Sequence, residues 1–290
     1  MVSASRLSRY HAVVGVIQLL RPVNVVLSVA GVLVGAYLGA GVVAFDQARM
    51  GRVLLAALSA AAVTAAANAL NDAFDVKVDQ VNRPKRPIPS GKITESAATR
   101  TWLIGALVGV GLSLTLSVEH VLIASSSIVL VYMYSAVLKR AGLIGNVVVS
   151  AIVSAAIIYG ALATGQVGKA WIGVALAFLL TLSREITKDL EDVEGDVRDG
   201  VQTLPVLIGD RRTRLLVVGL IVLTIIAAPM PFLLLTFDRL YLLGIAAADF
   251  CLLGATWFLW VSDKGKEDFT KASLLLKSAM VAGMGALLLA

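Results

Sequence analysis

The 290-residue sequence predicts an all-α membrane protein of about nine transmembrane helices, and three observations carry that expectation. Hydrophobic residues make up 58% of the chain, charged residues only 15%, and mean hydropathy is +0.88, far from the composition of ordinary soluble domains. Apolar runs of roughly 20 residues recur from end to end, each long enough to cross a hydrocarbon core about 30 Å thick. Charged residues collect in the breaks between these runs, and two of the breaks are unusually long. No stretch remains for a separate soluble domain, so residues 1–290 read as one transmembrane domain.

Taken in order, the apolar runs place helices at roughly 16–42, 52–79, 99–118, 120–138, 144–164, 169–187, 212–234, 238–261 and 271–290. The first follows a polar, weakly basic stretch from Met1 to Tyr10 and is too long for the core of a cleaved signal, so it is expected to remain as a span. It opens on Arg21-Pro22-Val23-Asn24, where Pro22 suits a first helical turn and Asn24, set in an apolar stripe, needs a partner or faces a cavity. The fourth span meets the fifth at a polar cluster of Tyr132, Tyr134, Ser135, Lys139, Arg140 and Asn146. Tyrosine here serves as a headgroup anchor or as a site residue.

With the N-terminus in the cytoplasm, 21 of the 25 Lys and Arg residues lie on or near the cytoplasmic side, leaving Arg49, Arg52, Lys169 and Arg239 opposite. The positive-inside rule favours that orientation. Helices two and six then both run inward, and the long connections that follow them, Val76 to Ser96 and Lys188 to Arg214, share the cytoplasmic face. Long charged loops on a bundle otherwise joined by short ones are where function concentrates.

Counting removes several chemistries. Cys251 is the only cysteine, which excludes an intramolecular disulfide and a cysteine metal site, and its apolar run suggests a buried inert thiol. The two histidines, His11 and His120, stand apart from other ligand-type residues, which argues against zinc and histidine catalysis. The formal charge of +6 has no soluble face on which to meet nucleic acid; membrane orientation and anionic substrates account for it. Carboxylates, amides and cations are left.

The carboxylates form two matching rows. The second span ends in Asn68-Ala-Leu-Asn71-Asp72-Ala-Phe-Asp75-Val-Lys77-Val-Asp79, and the sixth ends in Glu185-Ile-Thr-Lys188-Asp189-Leu-Glu191-Asp192-Val-Glu194-Gly195-Asp196. At about 100° per residue, Asn68, Asp72, Asp75 and Asp79 share an arc of about 60°, and Glu185, Asp189, Asp192 and Asp196 repeat it if the helix continues. Gly195, a poor helix former, is expected to weaken the helix before Asp196. Solvated helix ends also carry acid, but stacked like charges repel and acid at a helix C-terminus opposes the macrodipole. A multivalent cation relieves both penalties, and carboxylate, water and phosphate oxygens are the ligands Mg²⁺ prefers. Asn68, Asp72, Asp75, Asp189 and Asp192 are the candidate metal ligands.

Cations follow each row: Arg83, Lys85, Arg86 and Lys92 in Asn82-Arg83-Pro84-Lys85-Arg86-Pro87-Ile88-Pro89-Ser90-Gly91-Lys92, and Arg184, Lys188 and Arg198 around the second. Arg and Lys suit phosphate oxygens, although cytoplasmic loops are basic for topology as well. Three prolines in six residues favour an ordered, extended loop able to act as a lid. The candidate substrate contacts are Asn24, Asn71, Arg83, Lys85, Arg86, Tyr134, Lys139, Arg184 and Lys188.

The motifs Asn71-Asp72-x-x-Asp75-x-x-x-Asp79 and Asp189-x-x-Asp192-x-x-x-Asp196, 117 residues apart, with the Arg21-Pro22-x-Asn24 opening and the Asn-Arg-Pro-x-Arg-Pro loop, resemble the UbiA superfamily of intramembrane prenyltransferases over essentially the whole chain. Within it, Ser183-Arg184-Glu185-Ile186-x-Lys188-Asp189-x-Glu191-Asp192-x-x-Gly195-Asp196, followed by Gln202-Thr203-Leu204-Pro205, is most similar to the archaeal digeranylgeranylglyceryl phosphate synthases. Homogentisate and chlorophyll-branch members share its Lys-Asp and Glu-Gly-Asp elements, whereas the Tyr-rich second motif usual in ubiquinone-type members is absent. The resemblance implies Mg²⁺ dependence and a UbiA-type bundle of two parallel four-helix-like repeats plus one extra helix, with a central cavity opening to lipid.

The implied reaction moves a geranylgeranyl group from geranylgeranyl diphosphate to a hydroxyl of geranylgeranylglyceryl phosphate, for membrane ether lipids. Asp72, Asp75, Asp79, Asp189, Asp192 and Asp196 are its candidate catalytic residues, with Asp79 or Asp196 placed to take the acceptor's proton. The partners are then a prenyl diphosphate, a lipid-phosphate acceptor and the membrane. An aromatic acceptor such as 4-hydroxybenzoate is the alternative within the superfamily, and needs fewer cations. A secondary transporter also has repeats and intramembrane charge, but its charges sit near mid-bilayer, whereas these rows end helices at one interface.

Overall fold

The computed structural model describes residues 13–198, 200–234, 237–261 and 265–290; Arg6, Arg9 and His11 lie outside them. The described chain is helical throughout. A short helix over 13–20 (α1) leads into α2 (Pro22–Ala40), α3 (Met50–Phe74), α4 (Val76–Asn82), α5 (Glu95–Ser113), α6 (Val118–Ala136) and α7 (Leu143–Ala163). Then come α8 (Ala170–Arg198), α9 (Leu204–Ile208), α10 (Asp210–Ala227), α11 (Met230–Leu233), α12 (Arg239–Trp260) and α13 (Lys266–Leu287).

Among the described residues seven helices are long and apolar enough to cross a membrane: α2 with the 3-10 turn after it, α3, α6, α7, α8, α10 with α11, and α12. That makes the chain an integral membrane protein. The nine spans expected from sequence included α5 and α13, whose lengths suffice but whose apolar character is diluted by Glu95 and Arg100 in α5 and by Lys271 and Lys277 in α13.

Four boundaries differ from the expected ones. The first run is broken at Arg21, which takes φ 49° and is the only non-glycine with positive φ among the described residues. Pro22 follows it, and proline's ring disfavours the right-handed helix for the preceding residue, which breaks the run here. The second run does not continue unbroken to Asp79; α3 stops at Phe74 and α4 starts at Val76, with Asp75 at φ −89°, ψ 8° between them. The chain bends without losing its ladder, since Asp75 N–H still donates to Asn71 O (2.9 Å) and Asp79 N–H to Asp75 O (2.8 Å). The seventh run is interrupted after Ala227, shortly before Pro229, and resumes as α11.

The fourth difference runs the other way. Gly195 does not end the sixth helix, and α8 continues to Arg198. A Cβ on Gly195 would lie 2.2 Å from Asn82 Nδ2, so the glycine is there to let α4 lie against α8. Packing compensates for its low helix propensity.

Two glycines set the middle of the bundle. A Cβ on Gly35 of α2 would lie 1.8 Å from Ile157 O of α7, and one on Gly160 of α7 would lie 1.8 Å from Val32 O of α2. Gly31 faces Ala156 and Gly39 faces Ala161, so contacts climb both helices together and α2 and α7 run parallel. Matching each α2 residue to the one 125 positions later in α7 exchanges the contacts 35/157 and 32/160, as an axis between two parallel repeats, α2 to α6 and α7 to α12, would. The helix α13 is the extra one, packing on α12, α8 and α2.

One apolar cluster joins α2, α3, α6 and α7, a second joins α8, α10, α12 and α13, and a third bridges the halves through Val34, Ile157, Tyr241 and Ala286. Cys251 is only half-buried against the second cluster, short of the full burial expected. At the end away from the acidic rows, Arg52 donates to the carbonyls of Ala163 (3.1 Å) and Leu116 (3.3 Å). His120 is fully buried there, with its ring nitrogens 2.8 Å from Ser117 Oγ and 3.1 Å from Tyr159 O.

The α2–α7 crossing tolerates no added methyl. Gly35→Ala and Gly160→Ala are each expected to cost about 1–3 kcal/mol through forced helix separation. Gly219→Ala, in open space on α10, is expected to be neutral or slightly stabilising. Thermal melts of the purified variants in one detergent check this; equal melting temperatures for all three would refute the close crossing.

Candidate active site

Because α2 and α7 run parallel, α3 and α8 both return to the same end of the bundle, and their C-terminal carboxylates meet there. On α3, Asn68 and Asp72 are buried and Asn71 half-buried. Asn68 donates to Leu20 O (2.9 Å) and receives the Asn24 amide (3.4 Å). Asn71 Oδ1 accepts from Ser135 (2.6 Å).

Asp72 takes two guanidinium groups, a short contact from Arg21 and one at 3.2 Å from Arg86. The strained left-handed backbone of Arg21 thus coincides with its reach into the site, as strain often does at functional positions. Asp75, at the bend, is bound by Lys139 Nζ (2.7 Å). Asp79, carried round by α4, is bound by the same Arg86 nitrogen at 2.6 Å. Burial pushes its carboxyl above the usual range, against the pull of Arg86.

The second row lies opposite. Glu185 holds Arg184 (2.9 Å) and Lys188 (3.0 Å). Asp189 accepts from Asn146 of α7 (2.8 Å), and Asp196, buried, accepts from Thr203 (3.1 Å). Asp192 is the link between rows, because Arg83 grips both of its oxygens (2.8 and 3.1 Å) and Asn82 donates to its backbone carbonyl (3.2 Å). One guanidinium nitrogen thus bridges both carboxylate oxygens, a charge-assisted contact stronger than a neutral hydrogen bond. The proline-rich loop is therefore ordered by its own arginines, one on each row.

Every carboxylate of the two rows is engaged by a cation, amide or hydroxyl. Among the described residues no three Asp, Glu, His or Cys side chains converge into a ready metal cage. The expected metal ligands Asn68, Asp72, Asp75, Asp189 and Asp192 are nonetheless all hard oxygen donors on facing helix ends, which is the donor chemistry of Mg²⁺. The cations among their present partners, Arg21, Arg83, Arg86 and Lys139, are groups that suit phosphate oxygens as well.

Two spaces adjoin the rows. A cavity of about 420 Å³ has a polar mouth formed by Arg21, Asn24, Asn68, Asn71, Arg83, Arg86, Tyr134, Arg184, Glu185 and Lys188. Its deeper walls are apolar and include Val153, Ile157, Leu180, Leu252, Met280 and Met284. A smaller recess is bounded by Gln18, Arg21, Asp72, Arg83, Lys85, Arg86 and Pro87. Lys85 is exposed at its rim. Of the polar cluster between the fourth and fifth spans, Tyr134 and Lys139 face the site, whereas Tyr132 packs outside on Phe74 and Trp102, and Arg140 is exposed.

Two charged residues that sequence reasoning passed over also line the cavity: Asp249 on α12 and Lys277 on α13. One Asp249 oxygen is buried with no hydrogen-bond partner. The signal was available, since an ionisable residue within a membrane run is a functional candidate by default.

A model of the UbiA prenyltransferase family matches residues 28–279. The chain is 40% identical over 280 residues to the digeranylgeranylglyceryl phosphate synthase of Methanopyrus kandleri, covering 94% of this chain and 97% of that one. A solved structure concerned with digeranylgeranylglyceryl phosphate synthase in membranes superposes with TM-score 0.73 at 29% identity, over 96% of this chain and 97% of the other. The fold is shared with a UbiA homolog from Archaeoglobus fulgidus bound to DMAPP and Mg²⁺, at TM-score 0.66 and 17% identity, over 94% and 99% of the two chains. With a family model spanning most of its length and a relative this similar end to end, the chain belongs to the UbiA prenyltransferase family.

Proposed function

We propose that this protein transfers a geranylgeranyl group from geranylgeranyl diphosphate to a hydroxyl of geranylgeranylglyceryl phosphate, forming digeranylgeranylglyceryl phosphate for membrane ether lipids. The observation that carries this reading is the meeting of two carboxylate rows and their cations at the polar mouth of an apolar cavity. A prenyl diphosphate has the same two-part character, with a tail soluble in lipid and a head that is not. Further support comes from relatives that are digeranylgeranylglyceryl phosphate synthases, and from the fold shared with UbiA homologs bound to DMAPP or GPP with Mg²⁺. Residues 1–290 act as one domain, with the N-terminus and the mouth on the cytoplasmic side, the orientation that the Lys and Arg distribution favours.

In this mechanism Arg83, Arg86 and Lys139 hold the diphosphate, exchanging their carboxylates for its oxygens. Lys85 at the rim, with Asn24, Asn71 and Tyr134 at the mouth, orients it. Asn68, Asp72, Asp75, Asp189 and Asp192 would hold Mg²⁺, whose chemistry there would be charge neutralisation of the departing diphosphate. The apolar walls keep bulk water from the electron-poor allylic carbon, and the arginine-tied loop covers the mouth. As the acceptor oxygen forms the new C–O bond its proton leaves to one carboxylate, Asp79 or Asp196, at the end of a row.

Asp72→Ala and Asp189→Ala are each expected to lower metal-dependent prenyl transfer at least ~100-fold while leaving the detergent-solubilised protein folded by circular dichroism and gel filtration. Full activity in either variant would sink the two-row mechanism. The acceptor is decided by offering the purified protein geranylgeranyl diphosphate with geranylgeranylglyceryl phosphate and 4-hydroxybenzoate in competition, and identifying products by mass spectrometry. The ether-lipid product is expected to predominate; exclusive alkylation of the aromatic ring would overturn the acceptor assignment.

A further inference from the structure

The cations at the mouth fall into two groups. Arg83, Arg86 and Lys139 are neutralised by row carboxylates, and Arg21 by Asp72. Arg184, Lys188 and Lys277 face the larger cavity from α8 and α13 and share only one carboxylate, Glu185. Lys277 pairs with no acid among the described residues. Its ammonium donates to Asn24 Oδ1 (3.3 Å), and the charges acting on it are further cations, Arg184, Lys188 and Arg21. Arg184 in turn has its Nε buried without a partner.

Such an arrangement is unfavourable for the protein alone. A lysine well along a helix of a membrane bundle, set beside like charges, is costly unless an anion completes the cluster. The cluster carries a local excess of two positive charges, and a phosphomonoester carries about −1.5 to −2 at pH 7. The apolar part of the cavity begins beside these residues, at Leu252, Met280 and Met284 of α12 and α13. A lipid whose phosphate sat on this cluster would have its chain in that chamber. The carboxylate rows, by contrast, have little charge to offer an anion that arrives without a metal.

We propose that Lys277, Arg184 and Lys188 form a separate subsite for the phosphomonoester of the acceptor lipid, with Lys277 as the residue that discriminates a phosphorylated acceptor from a neutral one. This rests on the acceptor assigned above and adds where its phosphate binds. The donor diphosphate keeps the cations of the proline-rich loop and Lys139. Lys277 is then a binding and specificity residue on the one helix outside the two repeats.

The test compares the parent protein with Lys277→Met, which keeps the length of the side chain without its charge, and Lys277→Arg, which restores the charge. Equilibrium binding of geranylgeranylglyceryl phosphate and of its dephosphorylated alcohol is measured in detergent without donor or metal, alongside the KM for each substrate. Lys277→Met is expected to weaken binding of the phosphorylated lipid about 10- to 100-fold, as for loss of a charge-assisted contact. Affinity for the alcohol and the KM for geranylgeranyl diphosphate should each change less than about threefold, and Lys277→Arg should recover most of the loss.

Unchanged binding of the phosphorylated lipid, or equal losses for phosphorylated lipid and alcohol, would overturn the subsite. So would a selective rise in the donor KM. If the parent protein binds the phosphorylated lipid through Lys277 but alkylates only an aromatic ring, the subsite stands and the acceptor reading above fails.

Discussion

Acidic helix ends facing one another in a membrane bundle repel, and in this protein the repulsion is answered by cations drawn from elsewhere in the chain. Arg21 comes from before α2, Arg83 and Arg86 from the proline-rich loop and Lys139 from the turn before α7, while α7 itself adds the neutral amide of Asn146. Each pair ties a separate segment to one of the two rows. The loop order, the burial of Asp72 and Asp79, and the docking of α4 on α8 all depend on this neutralisation. Pairs of this kind are weak evidence for net stability, because desolvation consumes much of the Coulomb gain. They are better understood as the resting counterions of a site built to hold other ions, and removing one member would strand its partner's charge.

This organisation also explains how one small region handles two anions. Cations already matched to carboxylates are available to a ligand that brings its own metal, since carboxylates and guanidinium groups each gain a new partner. Cations left in excess suit an anion that arrives alone. The division follows the fold: the matched set belongs to Arg21 before α2 and to the connections after α3 and α6, and the excess set belongs to α8 and α13.

Much of the architecture was legible in the sequence because membrane helices announce themselves by length and composition, and because two copies of one acidic pattern fix which ends meet. The i+3 and i+4 spacing identified Asp72, Asp75, Asp189 and Asp192 as facing residues without any knowledge of packing. What escaped was tertiary. The break at Asp75 leaves the hydrogen-bond ladder nearly intact and has no proline or glycine to mark it. Gly195 looked like a helix breaker because its purpose, room for Asn82, lies in another element. Lys277 and Asp249 were hidden by the apolar runs around them, and only the common cavity relates them to the rows. Arg21 stood out in the Arg21-Pro22-x-Asn24 opening, but its contact with Asp72, 51 residues on, is tertiary.

The contact between Gly35 and Gly160 has a geometric consequence for the mouth. Helices whose backbones touch have no slack for sliding, because carbonyl oxygens occupy the space a side chain would cushion. What remains to them is tilt about the point of contact. Arg21 lies fourteen residues from Gly35, about 20 Å along the helix at 1.5 Å per residue, so a tilt of about 5° displaces the mouth by about 2 Å. The crossing lies five residues from the end of α2 and three from the end of α7, so it is a pivot with the charged end as the long arm of the lever. By that geometry any tilt is largest where arginines and aspartates meet and smallest at the apolar residues beside the pivot.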